Sequence, residues 1–340
     1  MVERKAYVVQ KTGSLNNLHL TDSTLAEPKP GEVTVAVKTI GLNYADIFAV
    51  MGLYSATPEE PFIPGLEYAG DILAVGEGVT QWKVGDKVMG VTRFGAYTTH
   101  LHIDARYVFA LPQQWSYAEG AAFLVQVLTA YYALVPLGNL LKGQTVLIQS
   151  AAGGVGIQAN RIAQRLGAYT VGVVGNEAKY KLLKKEGYQG AVVRTENFRN
   201  DVRQALQGRE LNLVLEAAGG KYFTWSYQLL APQGRLVTYG SAGFSPKSDK
   251  PFYPKLIWQY LMRPKVDPLT MTRENKSVMG FNLIWIYDKT ELMHQLMREI
   301  EALQLPAPYI GHEFSFKELP QALTLFLTGN TTGKLIVHTD

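Results

Sequence analysis

The spacing of hydrophobic and polar positions changes near residue 144. Before that point, short apolar runs with alternating positions, such as 33–37, 70–75 and 87–91, are separated by glycine turns, which is typical of half-buried strands. After it, apolar runs alternate with helical stretches, the pattern of strand–helix–strand units around a parallel sheet. The sequence therefore predicts an α/β chain that combines a β-rich part with a doubly wound parallel sheet.

The alternation of strands and helices is repeated through the second half of the chain. The predicted strands are 145–149, 169–174, 191–193, 211–216 and 235–239, and the predicted helices are 157–166, 178–185 and 222–230. An aromatic segment rich in proline and lysine follows at 244–276, where we predict an insertion. An amphipathic helix at 289–303 and a last strand at 334–338 complete the pattern.

One apolar segment, 121–137, has the composition of a membrane span but not its length. It carries Gln126 and Thr129, is interrupted by Pro136, and is shorter than the roughly 20 residues that a bilayer requires. We predict a buried helix here and no integral membrane span. The first residues lack the charged start and long apolar run of a secretory signal, so a cytoplasmic protein is expected.

A run of small residues follows the predicted strand 145–149 and begins the next helix. Its members that point to a phosphate-binding turn are Ala151, Gly153, Gly154, Val155 and Gly156. Small residues at this spacing allow a tight turn, close approach of the backbone to a pyrophosphate, and close packing of helix on strand. The helix N-terminus then presents N–H groups to the phosphates. The sequence predicts a dinucleotide site.

The end of the second strand of this unit bears on which dinucleotide binds. NAD sites usually place an acidic residue there, about 20 residues after the glycine turn. Here the strand is followed by Gly175, and two cations lie nearby, Lys179 one helical turn later and Arg194 after the next strand. Space and positive charge favour a 2′-phosphate, so NADPH is predicted. The alternative is that both cations are solvated surface residues, and Glu177 weakens the case for NADPH.

Charge and cysteine content exclude several other classes of function. The 33 basic residues exceed the 29 acidic ones by only +4 and form no basic block, so we expect a small-molecule substrate and no nucleic-acid partner. The absence of cysteine excludes disulfides, thiolate nucleophiles and cysteine-built zinc sites. His100 and His102 share one face of a predicted strand without a third ligand nearby in sequence, so structural roles are predicted for them.

Several motifs together carry a resemblance to a known family. They are Gly41-Leu-Asn43-Tyr44-Ala-Asp46, Gly52-Leu-Tyr54, Pro64-Gly65-Leu-Glu67-Tyr-Ala-Gly70, Val84-Gly85-Asp86-Lys-Val88, the turn at 151–156, and Gly333-Lys334-Leu-Ile-Val337. On these motifs the chain resembles the medium-chain dehydrogenase/reductase superfamily over essentially its full length. Within it, the chain is similar to the zinc-free quinone oxidoreductase branch, which includes enoyl reductases, and segments 263–268 and 274–280 resemble its VAT-1-like members.

The resemblance implies a fold, an assembly and a reaction. A GroES-like catalytic domain would comprise residues 1–123 and 278–340, and a Rossmann domain residues 124–277 with the insertion at 244–276. A homodimer would form through the strand at 277–283. The positions where zinc enzymes of the superfamily hold their metal carry Asp46 and Leu66-Glu67, so no metal is expected. The implied activity is NADPH-dependent hydride transfer to a quinone or an α,β-unsaturated carbonyl. The alternative is an NADPH-binding interaction or membrane-associated protein with little turnover.

The resemblance also implies roles for individual residues. Tyr54 matches a tyrosine near the substrate of enoyl-thioester reductases, and is the candidate proton donor; the alternative is a loop tyrosine that packs on the cofactor domain. Asn43 matches a residue beside the nicotinamide, or is only a turn former. The remaining residues predicted to contact the cofactor are Thr129, Ser241, Phe281, Leu283 and Lys334. Lys334 would reach the cofactor phosphates, or is a surface lysine.

Overall fold

The computed structural model describes residues 1–246 and 248–339. The chain divides into two units, which we call the β-rich unit and the parallel-sheet unit. The β-rich unit comprises Met1–Val125, Pro246–Pro251 and Ala307–Asp340, and the parallel-sheet unit comprises Gln126–Ser245 and Phe252–Pro306. Each unit is described separately below.

The helices and strands are numbered in chain order. Up to residue 132 they are β1 (Val2–Val9), β2 (Leu18–Leu25), β3 (Glu32–Gly41), α1 (Tyr44–Val50), β4 (Glu67–Val75), β5 (Lys87–Val91), β6 (His100–Asp104), β7 (Val108–Ala110), α2 (Tyr117–Ala121) and α3 (Leu124–Tyr132). Residues 133–306 form β8 (Thr145–Ile148), α4 (Gly154–Arg165), β9 (Tyr169–Val174), α5 (Tyr180–Lys185), β10 (Gly190–Val193), α6 (Phe198–Leu206), β11 (Leu213–Glu216), α7 (Gly220–Leu229), β12 (Arg235–Thr238), α8 (Tyr253–Leu261), α9 (Pro268–Glu274), β13 (Ser277–Gly280) and α10 (Thr290–Ala302). The chain continues with β14 (Ile310–Ser315), α11 (Leu319–Leu327) and β15 (Lys334–His338).

The main sheet of the β-rich unit joins both ends of the chain. Its strand order is β14-β15-β3-β4-β5-β7, with β6 also paired to β3. Val33, Val35 and Val37 of the central strand β3 are buried, as the alternation predicts, but Thr34 between them is buried as well. β15 and β4 flank β3 as antiparallel partners, with Gly41 opposite both Ile336 and Glu67. The register therefore brings the start of β15 and the start of β4 close to the loop that follows β3.

The parallel-sheet unit has the order β10-β9-β8-β11-β12-β13, with all neighbouring strands parallel. Counted within the unit alone, this is the order 3-2-1-4-5-6 of doubly wound dinucleotide-binding folds. Apolar strand residues such as Leu147, Val171 and Val214 are completely buried, and α6 and α7 pack on them. The strand order reverses between β8 and β11, so the turn after β8 lies at the topological switch point, where ligands of such sheets bind.

The predicted elements are present, with one helix changed in form. β9 and β15 have the predicted bounds, and the aromatic insertion forms α8 and α9. The apolar segment 121–137 contains α3 and then a π-helical turn, Ala133–Leu137, which includes Pro136. Proline cannot donate the backbone hydrogen bond that a continuing α-helix needs. Within residues 1–246 and 248–339, no helix has the length and apolar character needed to cross a bilayer.

The domain boundaries differ from those predicted, and the second differs more than the first. The first division lies at 125/126 instead of 123/124, within α3. The final return to the β-rich unit lies at 306/307 instead of 277/278, and Pro246–Pro251 of the predicted insertion also belong to the β-rich unit. The reason is that β13 pairs in parallel with β12, with Ser277 opposite Arg235. The segment after residue 277 therefore continues the parallel sheet before the chain returns to the β-rich unit.

Candidate cofactor and active site

The glycine turn after β8 leads directly into a helix whose N-terminus has no side-chain cap. Gly153 is the N-cap residue of α4, and as a glycine it has no side chain that could cap the helix. The N–H groups of the first helical turn, which begins with Gly154, Val155 and Gly156, have no acceptor within the helix. Their partial positive charge at the switch point fits a phosphate group. The predicted turn therefore has the geometry of a phosphate cradle.

The glycines of this turn differ in what an added side chain would meet. A Cβ at Gly156 would lie 2.6 Å from the carbonyl oxygen of Ser150 and 2.7 Å from Cα of Ala151, so the helix could not pack on the turn. A Cβ at Gly154 would lie 2.7 Å from Oε1 of Gln126. A Cβ at Gly153 would meet only the Ser150 oxygen, at 3.3 Å. Gly156 is thus required by packing, whereas Gly153 leaves space that a ligand can approach.

A tyrosine that the sequence analysis did not identify holds the same turn. The hydroxyl of Tyr188 lies 2.8 Å from the carbonyl oxygen of Gly156 and 3.2 Å from that of Ala151. Tyr188 precedes β10, so this contact connects the third strand of the unit to the turn after the first. Burial raises the pKa of the phenol well above its ordinary value, so the hydroxyl remains a donor at neutral pH. The turn is therefore fixed in shape by contacts within its own unit.

The two cations predicted for a 2′-phosphate are brought together at the ends of β9 and β10. The N–H of Arg194 donates to the carbonyl oxygen of Val174, 2.9 Å away, which places Arg194 beside the end of β9. A Cβ at Gly175 would lie 3.5 Å from Nη2 of Arg194. Burial and the charge of Arg194 lower the pKa of Lys179. Two neighbouring cations beside an exposed glycine form an electropositive position that suits an anion.

The other predicted cofactor contacts of the parallel-sheet unit follow its strands or lie on α3. Phe281 comes directly after β13, and its ring centroid lies 5.1 Å from that of Tyr132 and 6.4 Å from that of Tyr239. Thr129 is buried on α3, one turn before Tyr132. Ser241 follows β12, and Leu283 begins a short 3₁₀ turn after Phe281. The structure therefore distributes them over α3 and the carboxyl ends of β12 and β13.

A buried polar cluster in the β-rich unit contains both Asn43 and Lys334. Nδ2 of Asn43 donates to the carbonyl oxygen of Gly41 (3.2 Å) and to Oε1 of Glu67 (3.0 Å). Its Oδ1 accepts a hydrogen bond from Nζ of Lys334 (2.8 Å), and Lys334 also forms an ion pair with Glu67. Glu67 is 1% exposed and Lys334 3% exposed. Both amide protons of Asn43 are used within the cluster, which fixes the orientation of this side chain.

Asp46 and Tyr97 extend the cluster. Oδ2 of Asp46 accepts hydrogen bonds from the N–H of Asn43 (2.8 Å) and the hydroxyl of Tyr97 (2.9 Å), whereas Oδ1 has no partner. Burial raises the pKa of Asp46 to about 7, although these hydrogen bonds and the charge of Lys334 act in the opposite direction. From the sequence, Asp46 and Glu67 were interpreted only as the positions where zinc enzymes of the superfamily hold their metal. The structure makes them parts of a polar network that supports the loop carrying Asn43.

Replacement of Asp46 by asparagine is expected to change how stability depends on pH. The folded carboxyl has a pKa of about 7 and the ordinary value is 3.8, so between these values the folded state binds the extra proton. The contribution of Asp46 to the free energy of unfolding then falls as pH rises from about 4 to about 7, by at most about 1.4 kcal/mol per pH unit. The excess stability of the wild type over Asp46→Asn should therefore decline through this window. Urea unfolding across pH 4.5–8 measures it.

Asp104→Asn is the control for this prediction. Hydrogen bonding and the charge of Arg106 lower the pKa of Asp104, so its titration lies below the window. The stability difference for this control should be constant above about pH 4.5. A difference for Asp46→Asn that is equally constant would show that Asp46 does not hold its proton in the folded protein.

Tyr54, the candidate proton donor, lies in the loop after α1. Its carbonyl oxygen accepts hydrogen bonds from Thr57, from the N–H at 3.1 Å and from the hydroxyl at 2.7 Å. Its half-buried ring packs edge-on against Phe94, with 6.3 Å between the ring centroids and an angle of 80°. The backbone and the ring of Tyr54 are therefore held by separate contacts.

Comparison with known proteins gives the chain its family. Residues 29–113 match the model of the alcohol dehydrogenase GroES-like domain, and residues 154–299 match that of the zinc-binding dehydrogenases. The synaptic vesicle membrane protein VAT-1 homolog of Homo sapiens is 31% identical over 91% of this chain and 79% of its own length. The chain belongs to the medium-chain dehydrogenase/reductase superfamily. The predicted resemblance and the predicted GroES-like and Rossmann combination are thereby confirmed.

Other superfamily members extend the comparison. The VAT-1 homolog of Danio rerio is 34% identical over 92% of this chain, and the chain spans 65% of its length, slightly less than two thirds. The structure of mycobacterial Rv1454c complexed with NADPH has a TM-score of 0.85 at 26% identity and covers 99% of this chain and 100% of its own. The structure of CurK enoyl reductase has a TM-score of 0.84 at 26% identity and covers 99% of both chains.

The residues of this superfamily member do not fit the zinc ion that one family model names. Zinc sites are built from cysteine, histidine and carboxylate ligands. Here Glu67 already pairs with the ammonium group of Lys334, and Nδ1 of His102 lies 3.0 Å from the hydroxyl of Thr34. Among the described residues, no three histidine, cysteine or acidic side chains are grouped so that they could hold a metal. A reaction that needs no metal is therefore proposed for this chain.

Proposed function

We propose that this protein is a zinc-independent reductase that transfers a hydride from NADPH to a quinone or an α,β-unsaturated carbonyl. The observation that carries the proposal is the phosphate cradle at the switch point, with Lys179 and Arg194 beside Gly175 at the end of the adjacent strand. Membership of an oxidoreductase superfamily supports it, as does the likeness to a protein whose structure contains NADPH.

The cofactor would be held through its charged groups. The turn of Gly153 and the N-terminus of α4 would bind the pyrophosphate, and Lys179 and Arg194 the 2′-phosphate. Burial, and then the charge of Arg194, lower the pKa of Lys179, and a dianionic group between the two cations would offset their mutual repulsion. Thr129, Ser241, Phe281 and Leu283 are our candidates for contacts with the nicotinamide half. When bound, NADPH supplies the hydride.

The proton chemistry belongs to the β-rich unit in this proposal. Hydride addition to a conjugated carbonyl or a quinone leaves negative charge on an oxygen, which a hydrogen-bond donor stabilises and then protonates. We assign the hydroxyl of Tyr54 to this task. Asn43 is assigned a positioning role, because its amide protons already bind Gly41 and Glu67. Lys334 supports Asn43 in the same cluster.

Replacement of Gly153 by alanine is expected to weaken NADPH binding about tenfold or more, with a loss of stability of no more than about 1 kcal/mol. Its Cβ would meet only the Ser150 oxygen within the protein, at 3.3 Å, but would fill space where the pyrophosphate should lie. Gly156→Ala should differ, with binding lost together with about 1–3 kcal/mol of stability, because its Cβ meets backbone atoms. Calorimetric titration and chemical unfolding measure both. Unchanged binding by Gly153→Ala would contradict the cradle assignment.

The activity is tested with purified protein, EDTA and NADPH, to which 1,4-naphthoquinone, trans-2-hexenal or crotonyl-CoA is added. Loss of the reduced nicotinamide absorbance, above a control without protein, is expected with at least one acceptor. NADPH binding without oxidation across the panel would contradict the reductase proposal.

A homodimer is proposed as well. It would form by pairing of the edge strand β13 with the same strand of a second copy, and light scattering tests it.

An NADPH-binding interaction protein is the second candidate, and the surface of the insertion favours it. Helix α8 and its flanks carry large apolar side chains that are mostly exposed, including Phe252 (66%), Trp258 (63%) and Met262 (63%). Exposed apolar surface of this kind marks interaction sites. The two candidates differ in the acceptor panel, since an interaction protein binds NADPH but does not oxidise it.

A further inference from the structure

Phe94 has a backbone conformation that bulky residues rarely adopt. Its φ is +107°, and Gly95 follows with +108°. Glycine has no Cβ and accepts such angles without strain, whereas a phenylalanine there is a conformational outlier. Outliers of this kind persist only when surrounding contacts enforce them, and they are concentrated at functional sites. Phe94 is therefore a reason to look for a function of its ring.

Hydrogen bonds at the Phe94 carbonyl and directly after it enforce the conformation. The hydroxyl of Thr92 donates to the carbonyl oxygen of Phe94, 2.6 Å away. The carbonyl oxygen of Pro64 accepts hydrogen bonds from the N–H groups of Gly95 (3.3 Å) and Tyr97 (2.9 Å). The loop is thus held at the Phe94 carbonyl and directly after it, which restricts the direction of its side chain.

The ring of Phe94 lies between two other aromatic rings. Its centroid is 5.9 Å from that of Phe62, at an angle of 68°, and 6.3 Å from that of Tyr54, at 80°. Phe62 is buried, but Phe94 and Tyr54 are half-buried. Edge-to-face contacts are directional, so they restrict how the Tyr54 ring can turn. Burial of a half-exposed ring alone contributes too little free energy to account for a strained backbone. Restriction of a reacting phenol is a function that accounts for the strain.

We infer that Phe94 is a positioning residue that holds the phenol of Tyr54 in the orientation needed for proton donation. The inference rests on the proposed function, because that proposal makes Tyr54 the donor. Phe94 itself exchanges no proton. It acts through the ring contact, and Thr57 anchors the backbone of Tyr54 independently.

The test compares Phe94→Gly, Phe94→Tyr and the control Gln233→Gly. Glycine removes the ring and the strain together, and tyrosine keeps the aromatic edge. Gln233 has a φ of +67° in the turn before β12 and is exposed, so its replacement relieves strain outside the proposed site. The measurements are kcat and KM with the best acceptor of the panel, NADPH affinity, thermal midpoint, and the crystal structure of each variant.

Phe94→Gly is expected to lower kcat at least tenfold, with NADPH affinity unchanged and the Tyr54 ring displaced or poorly ordered. Phe94→Tyr should retain most of kcat, and Gln233→Gly all of it. The inference is overturned if Phe94→Gly keeps kcat within twofold, if its Tyr54 ring stays in place, or if Phe94→Tyr is as impaired as the glycine variant. A wild type without turnover refutes the proposed function instead, and the crystal structures then decide whether Phe94 positions Tyr54.

Discussion

Lys334→Met is expected to lower the free energy of unfolding by about 3–5 kcal/mol, as is typical when one partner of a buried ion pair is removed. The methionine keeps the length of the side chain but leaves the carboxylate of Glu67 buried without a cation. The amide of Asn43 and the N–H of Val125 still donate to Glu67, but these neutral donors do not balance a full charge. Oδ1 of Asn43 also loses the ammonium donor.

Urea unfolding measures this loss of stability. Two further variants show where the loss comes from. Lys334→Met with Glu67→Gln removes both charges and should recover a large part of the lost stability. Lys221→Met breaks the exposed ion pair with Glu196 and the cation–π contacts with Tyr222 and Trp225, and should have a much smaller effect than Lys334→Met. If Lys334→Met is as stable as the wild type, the cluster does not depend on this pair. If the double variant is no better than the single one, the loss does not come from the uncompensated carboxylate.

Lys179→Ala and Arg194→Ala are expected to weaken NADPH binding about 10- to 100-fold each, while NADH binding changes little. Each cation would make charge-assisted hydrogen bonds to the 2′-phosphate, worth about 1.5–3 kcal/mol. NADH has no such phosphate, so the preference for NADPH should disappear in the double variant. The proximity of Arg194 to Gly175, and its effect on the pKa of Lys179, motivate the pairing of these two residues.

Fluorescence or calorimetric titration with both cofactors is the appropriate measurement. Lys181→Ala provides a matched control, because Lys181 is an exposed cation on α5, two residues after Lys179. Its replacement should leave the ratio of the two affinities unchanged. Equal loss for NADPH and NADH in Lys179→Ala and Arg194→Ala would mean that these residues support the fold of the site and not the 2′-phosphate.

The sequence was most informative where the relevant contacts are local. The glycine turn that begins α4 could be predicted because strand, turn and helix are consecutive, and the spacing of Gly153 and Gly156 reflects contacts within a few residues. The proximity of Gly175 and Arg194 could also be predicted, because parallel strands joined by one helix place their carboxyl ends side by side. Fold class followed from the change of hydrophobic spacing near residue 144 for the same reason.

Contacts between distant segments of the chain could not be predicted from local patterns. Lys334 and Glu67 are separated by 267 positions, and only the pairing of β15 and β4 with β3 brings them together. A signal did exist, since each is a charged residue at the beginning of an apolar strand and a buried charge requires a partner. The division at 306/307 differs from the predicted boundary at 277/278 for a related reason, because the pairing of β13 with β12 does not follow from the local pattern.

The central claim is metal-free hydride transfer from NADPH, and a single-turnover isotope experiment tests it most directly. Protein freed of metal with EDTA is mixed with NADPH that carries deuterium at the transferable position of the nicotinamide, together with the best acceptor of the panel. Oxidation should require the acceptor, proceed with EDTA present, and be several-fold slower than with unlabelled NADPH. Oxidation that stops with EDTA and returns with zinc, or no acceptor-dependent oxidation at all, would contradict the account.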